Sequence, residues 1–208
     1  MKTFRLPKAL PQIMMFVMAG GAACAQNSDF TVLLGVIGPS AQTDVSAPGV
    51  VVRADAGAAL QINYAYQLKG WQAGDLYLEV PLFLAFRGGV IRSTPDVSSV
   101  KATGMGAVTP GLRFKVHAAG RLYFYAAAGG GVGWSQRDET LASPGVASVS
   151  STSSATGAFD FGGGLDFRLT RLLSFKGEVR DLVTTDSTLP DSRGHNNVIV
   201  GFGLAFHF

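Results

Sequence analysis

Every second residue near the carboxyl end of the chain is large and apolar: Val198, Val200, Phe202, Leu204, Phe206 and Phe208. Between them stand Ile199, Gly201, Gly203, Ala205 and His207, mostly small residues. A period of two is that of a β-strand, whose successive side chains point to opposite faces. One face of this strand is bulky and greasy, and the other is nearly empty. Such a strand needs an apolar surrounding on one side and a crowded, small-residue contact on the other. Few folds supply both.

Composition narrows the choice. Apolar residues make up 47% of the 208 and charged residues 15%. No window approaches the roughly 20 consecutive apolar residues of a spanning helix. Apolar residues spread in alternation leave a membrane barrel open. The 27 glycines suit tight turns and close backbone packing better than a helical bundle. The length fits one domain with a processed leader.

The leader is residues 1–25. Lys2, Arg5 and Lys8 form a basic region, an apolar core runs from Ile13 to Ala23, and Ala23-Cys24-Ala25 offers an A-x-A site with cleavage after Ala25. Residues 26–208 are then the mature domain, exported across the inner membrane. The leader holds three of the 17 Lys and Arg and none of the 14 Asp and Glu, so the mature chain has no formal net charge. A nucleic-acid partner therefore has no electrostatic basis. Cys24, the one cysteine, allows a rival reading as a lipidated first residue, but Gly21 stands where such signals usually place leucine.

Taken in order, the chain reads as eight strands. After a first strand over 29–38, whose two faces are poorly distinguished, Val52 to Tyr66 alternate with Arg53, Asp55, Gly57, Ala59, Gln61 and Asn63. Leu76 to Phe86 then oppose Tyr77, Glu79, Pro81, Phe83, Ala85 and Arg87, and Val108, Leu112, Phe114 and Val116 oppose Thr109, Gly111, Arg113, Lys115 and His117. The fifth strand sets Leu122, Phe124, Val132 and Trp134 against Tyr123, Tyr125, Gly129, Gly131 and Ser135. In the sixth, Phe159, Phe161, Leu165 and Phe167 face away from Asp160, Gly162, Gly164, Asp166 and Arg168; in the seventh, Leu173, Phe175 and Val179 face away from Ser174, Lys176, Glu178 and Arg180. Polar stretches over 39–49, 88–104, 137–155 and 181–195 read as long loops, and short turns fall at 69–71, 118–120 and 170–171. Pro81 and Pro110 each remove a ladder donor, so a bulge or a later strand start is expected at each.

An even strand number, with long and short connections alternating, is the pattern of a membrane barrel. With the leader placing the amino terminus in the periplasm, the long loops face outward. Phe86, Trp134 and Phe159 fall near the outer rim, and Tyr64, Tyr66, Phe124, Phe167, Phe206 and Phe208 near the inner one, as aromatic girdles do. Soluble barrels alternate too, so the polar face decides which side is inside. It is rich in glycine and alanine, which suits the crowded interior of an eight-strand barrel. A solvated face would have no reason to be so small, so the apolar face meets lipid. The lumen then holds Arg53, Asp55, Glu79, Arg87, Arg113, Lys115, Asp160, Asp166, Arg168, Lys176, Glu178 and Arg180. Unpaired charge is costly there, so these should pair, either as a structural plug or around an ion path or ligand.

With the leader, the eight strands, the loop alternation and the Phe208 ending together, the chain resembles the small outer-membrane β-barrel superfamily, which includes the OmpA transmembrane domain and the OmpX and OmpW proteins. The resemblance covers residues 29–208. It is carried most by the Gly-rich stretch Tyr123 to Trp134, by the closing strand, and by Leu173 to Arg180 with its charges on the lumen side. It implies an all-β, eight-stranded antiparallel up-and-down transmembrane β-barrel in the outer membrane of a Gram-negative-type bacterium. It also implies Phe208 as an assembly signal read by the barrel-assembly machinery, outer-membrane lipids as surroundings, and a monomer. No peptidoglycan-binding domain follows Phe208, so the anchoring role of longer OmpA-type proteins does not carry over.

Catalytic chemistry is hard to find. Lipid A deacylases of this architecture use a His with a Ser two residues on, and His195-Asn196-Asn197 has no Ser. His117 and His207 sit near the periplasmic rim, each with no partner evident from spacing. A hydroxyl nucleophile needs a base within reach, and three scattered histidines make no metal site. Gly129 to Gly133 open no helix and cradle no phosphate. The expectation is a non-enzymatic protein without cofactor, structural or surface-interacting through its outer loops. A narrow channel for small or apolar solutes is the alternative, and a lipid-modifying enzyme the third reading.

Overall fold

The computed structural model describes residues 27–38, 40–43, 51–54, 56–94, 97–143, 146–184 and 195–208. For residues 40–43, 51–54, 88–94, 97–103, 137–143, 146–150, 152 and 195 the description is of the backbone alone. Eleven β-segments follow one another: β1 Ser28–Ile37, β2 Ser40–Thr43, β3 Val51–Ala54, β4 Gly57–Trp71, β5 Gly74–Thr94, β6 Val97–Val108, β7 Gly111–Ala119, β8 Leu122–Ser143, β9 Val146–Arg168, β10 Leu173–Thr184 and β11 His195–His207. The segments β6 and β7 together make one wall. With β1, β4, β5, β8, β9, β10 and β11 they form a closed antiparallel barrel of eight strands, each paired with its sequence neighbour. The closure is β1 on β11, from Asp29↔His207 to Ile37↔Ile199.

The circuit closes with a stagger. Followed rung by rung, Asp29 leads through Ala65, Glu79, Gly111, Gly129, Asp160 and Leu182 to Asn197. The first strand, however, pairs Asp29 with His207. That offset is what tilts the strands and sets the barrel's width.

The alternation read from the sequence fixes the two faces. In β10, Ser174, Lys176, Glu178, Arg180, Leu182 and Thr184 are buried while Phe175 and Val179 are exposed. The exterior carries Leu34, Phe86, Phe124, Val132, Phe159, Phe161, Phe202 and Phe206, and the interior carries Arg113, Lys115, Lys176 and Arg180. This is inside-out for a protein in water, where a continuous apolar exterior of such size marks an interaction surface. It is the arrangement a hydrocarbon surrounding stabilises.

Several boundaries differ from the sequence reading. The stretch over 39–49 is flanked by a small hairpin of its own, β2 on β3, so the strand expected to begin at Val52 is divided and its barrel part starts at Gly57. The stretches over 88–104 and 137–155 are largely strand rather than loop: β5 pairs with β6 as far as Thr94↔Val97, and β8 pairs with β9 as far as Ser143↔Val146. The sequence carries no period-two alternation there, and the strand is read from the continuous backbone pairing. Most of the stretch over 181–195, like Ala25, Cys24 and Asp55, lies outside the described residues.

The prolines differ too. The register runs unbroken past Pro81, which stands opposite Asn63, so no bulge forms there. At Pro110 the wall is interrupted between Val108 and Gly111, yet its pairing with β5 resumes in the same register. What remains is a shortened set of bonds, with Thr109 N donating to Pro81 O at 3.4 Å and Gly130 N to Pro110 O at 3.1 Å. Among the short turns, β7 to β8 needs a residue in the left-handed region, and Gly120 supplies it at φ 55°.

Candidate functional site

Inside the barrel the charges expected on the lumen face converge. Arg180 is the hub. From β10 its guanidinium reaches Glu79 on β5 and Asp160 on β9, and its Nε donates to Glu178 Oε1 at 2.7 Å. Glu178 also accepts from Gln61 and Tyr125, both at 2.6 Å. Arg113 joins the hub through Glu79 at 3.5 Å and donates to Asp29 at 2.7 Å. Its guanidinium lies 4.8 Å from the ring centre of Tyr77 and 5.5 Å from that of Tyr125, a cation–π sandwich that suits a desolvated arginine. Lys115 donates to Asp166 at 2.6 Å. Lys176 lies 4.8 Å over the Tyr125 ring and donates to Thr31 Oγ1 at 3.4 Å.

Arg87 and Arg168 make other contacts. Arg87 is half-buried and donates to the Gly38 carbonyl at 2.6 Å, and Arg168 lies 5.4 Å from the Tyr123 ring centre. The Arg53 side chain and all of Asp55 fall outside the described residues. Gln61, Asn63, Tyr77 and Tyr125, read from sequence on the inward face but not as part of the charge network, join it, and so do Asp29 and Thr31, whose strand showed no clear faces in sequence.

The sequence reading left His207 without a partner, and the structure corrects this. His207 Nδ1 lies 2.5 Å from Asp29 Oδ1, and its Nε2 contacts the Ser174 hydroxyl. The order carboxylate, imidazole, hydroxyl is that of a charge relay. Here, however, Ser174 is wholly buried, and Asp29 is also engaged by Arg113. An acyl carbon would have to come to about 3 Å from the hydroxyl oxygen, and that oxygen presents no open side. As built, the three residues lace β1, β11 and β10 together at the end where the chain closes.

Beside the charges lies an apolar cluster. Ile37, Phe83, Leu182 and Ile199 pack inside the barrel with Ala59, Ala85, Ala107 and Ala158, and Met105 packs against them. Sequence alternation had already put Phe83 and Ile199 on the inward face, but gave no sign that four bulky residues from β1, β5, β10 and β11 would meet.

Glycine makes room for all this. A Cβ on Gly35, Gly131, Gly164 or Gly203 would meet a neighbouring backbone oxygen at 2.2, 2.0, 2.2 and 2.0 Å respectively. In the closing strand close backbone approach therefore requires glycine at Gly203, whereas a Cβ on Gly201 would meet nothing nearer than Leu33 Cβ at 3.4 Å.

No protein-family model matches the sequence, and no curated protein matches it. Solved structures do. The outer membrane protein OprG from Pseudomonas aeruginosa aligns with a TM-score of 0.54 at 17% identity, over 88% of this chain and 98% of that one. The outer membrane protease OmpT from Escherichia coli aligns with a TM-score of 0.53 at 11% identity, over 88% of this chain and 97% of that one. At such identities the likeness is one of fold. The chain has the fold of the small outer-membrane β-barrels.

Proposed function

We propose that the protein is an integral outer-membrane barrel with a plugged lumen, acting without a catalytic step in a structural or surface-interaction role. Its short turns face the periplasm, and its extended β5–β6 and β8–β9 ribbons project from the cell. Outer-membrane lipids surround it, the assembly machinery reads the closing strand with Phe208, and it works as a monomer. The observation that carries this reading is that the buried lumen charges pair with one another. Arg180 is bound by three carboxylates, and an apolar cluster around Phe83 packs beside them. A permeation path needs charges facing water, and these face one another.

The test is planar-bilayer conductance of the refolded protein. A flat trace is expected for the wild type, and discrete steps are expected from Phe83→Ala combined with Leu182→Ala, which empties the largest part of the apolar cluster. Steady wild-type steps that vanish in Arg113→Gln or Glu178→Gln would replace the plug by the alternative, a narrow channel. A shift in lipid A mass on expression would point instead to lipid modification.

A further inference from the structure

The three short turns share a chemistry that the lumen does not explain. Each carries an exposed basic side chain at or beside it: Lys69 near the end of β4, Arg121 between β7 and β8, and Arg171 between β9 and β10. Among the described residues of these turns the nearest carboxylate is Asp75, and it accepts a hydrogen bond from Gln67 at 2.8 Å. Beside the cations stand exposed apolar residues. Trp71 is 47% exposed and Leu172 63%, and Leu68 is exposed next to Lys69. The ammonium of Lys69 lies 5.1 Å from the Trp71 ring centre, and Arg121 donates to the Leu169 carbonyl at 3.3 Å, tying two turns together. Three exposed cations and several exposed apolar side chains thus share this rim.

We infer that this rim binds the phosphodiester headgroups of anionic phospholipids of the phosphatidylglycerol type, in the leaflet that meets the short turns. Long basic side chains extend their charge from an apolar stem toward the headgroup plane. Each cation near an anionic surface multiplies local affinity several-fold. The apolar neighbours anchor the turns at the depth where the phosphates lie, which a purely electrostatic contact with a distant polyanion would not require. The inference rests on the membrane-spanning reading above, and the test keeps the two apart.

The experiment refolds the full chain into vesicles of phosphatidylcholine with one-fifth phosphatidylglycerol and counts retained lipids by native mass spectrometry after detergent extraction. Three proteins are compared: wild type, a short-turn variant (Lys69→Gln, Arg121→Gln, Arg171→Gln), and a control at the other end (Arg92→Gln, Lys101→Gln, Arg137→Gln). Each must first show heat-modifiable mobility on gels; a wild type that does not would overturn the barrel reading itself. The expected result is enrichment of phosphatidylglycerol on wild type and control, reduced at least about fivefold on the short-turn variant. Equal enrichment on all three, or equal loss on the control, would overturn the inference. So would binding of the wild type to purified cell-wall sacculi with no lipid preference.

Discussion

Replacing Arg180 by methionine is expected to abolish the folded barrel. The side chain is about as long as arginine's stem and fits the space, but Glu79, Asp160 and Glu178 would lose their common cation. All three carboxylates are at most 1% exposed in their side chains. Stranding one buried charge costs about 3–5 kcal/mol, and the whole stability of a domain is about 5–15 kcal/mol. Far-ultraviolet circular dichroism and gel mobility of the refolded variant should show no heat-modifiable form. Adding Glu79→Gln and Asp160→Asn to Arg180→Met removes two of the stranded charges and should recover folding in part. A single variant with wild-type urea midpoint would mean that the network does not hold the lumen together.

The second large effect concerns two glycines on adjacent strands. Gly203 faces the lumen, where a Cβ would lie 2.0 Å from Val32 O and 3.0 Å from Leu33 Cα. Gly177 faces outward, and the nearest atom to its Cβ is Leu165 Cγ at 3.8 Å. Overpacking of this kind costs about 1–3 kcal/mol, more when the obstacle is backbone. Gly203→Val should therefore lower the urea midpoint sharply. Gly177→Val should leave it unchanged or raise it, since glycine in a strand interior is worse than a residue with a side chain by about 0.5–1 kcal/mol. Equal effects at the two positions would show that the lumen face is not sterically tight.

How far the sequence reaches can be seen residue by residue. Wherever one face is the apolar exterior and the other the lumen, as from Leu76 to Arg87 or from Ser174 to Arg180, period-two alternation places every side chain correctly. Where that contrast ends the signal ends, and Gly88 to Thr94 are strand without looking like one. The partner of His207 was hidden for another reason. Asp29 is 178 residues away in the chain, and the two meet because the first and last strands pair. A sequence reading that had drawn the closing register would have set Asp29 opposite His207. The meeting of Ile37, Phe83, Leu182 and Ile199 depends on the stagger of the whole circuit, which no single strand encodes. The Arg180 hub is intermediate: its members are legible as lumen charges, but which carboxylate meets which cation is decided by that same stagger.

The two prolines give the wall a seam. Pro81 and Pro110 lie beside the same rung between β5 and the divided β6–β7 wall, and each withholds an amide proton that a regular ladder would use. Elsewhere the register irregularities sit near the ends of the strands, at Gln67/Lys69, Arg92/Thr94 and His117/Ala119. Among the described residues, the mid-strand ladders are therefore continuous everywhere but on the two sides of this wall, toward β5 and toward β8. Lateral breathing of the barrel has its natural starting point here. In deuterium exchange, the amides of Thr109 and Gly130 should give up their protons ahead of those one rung away on either side.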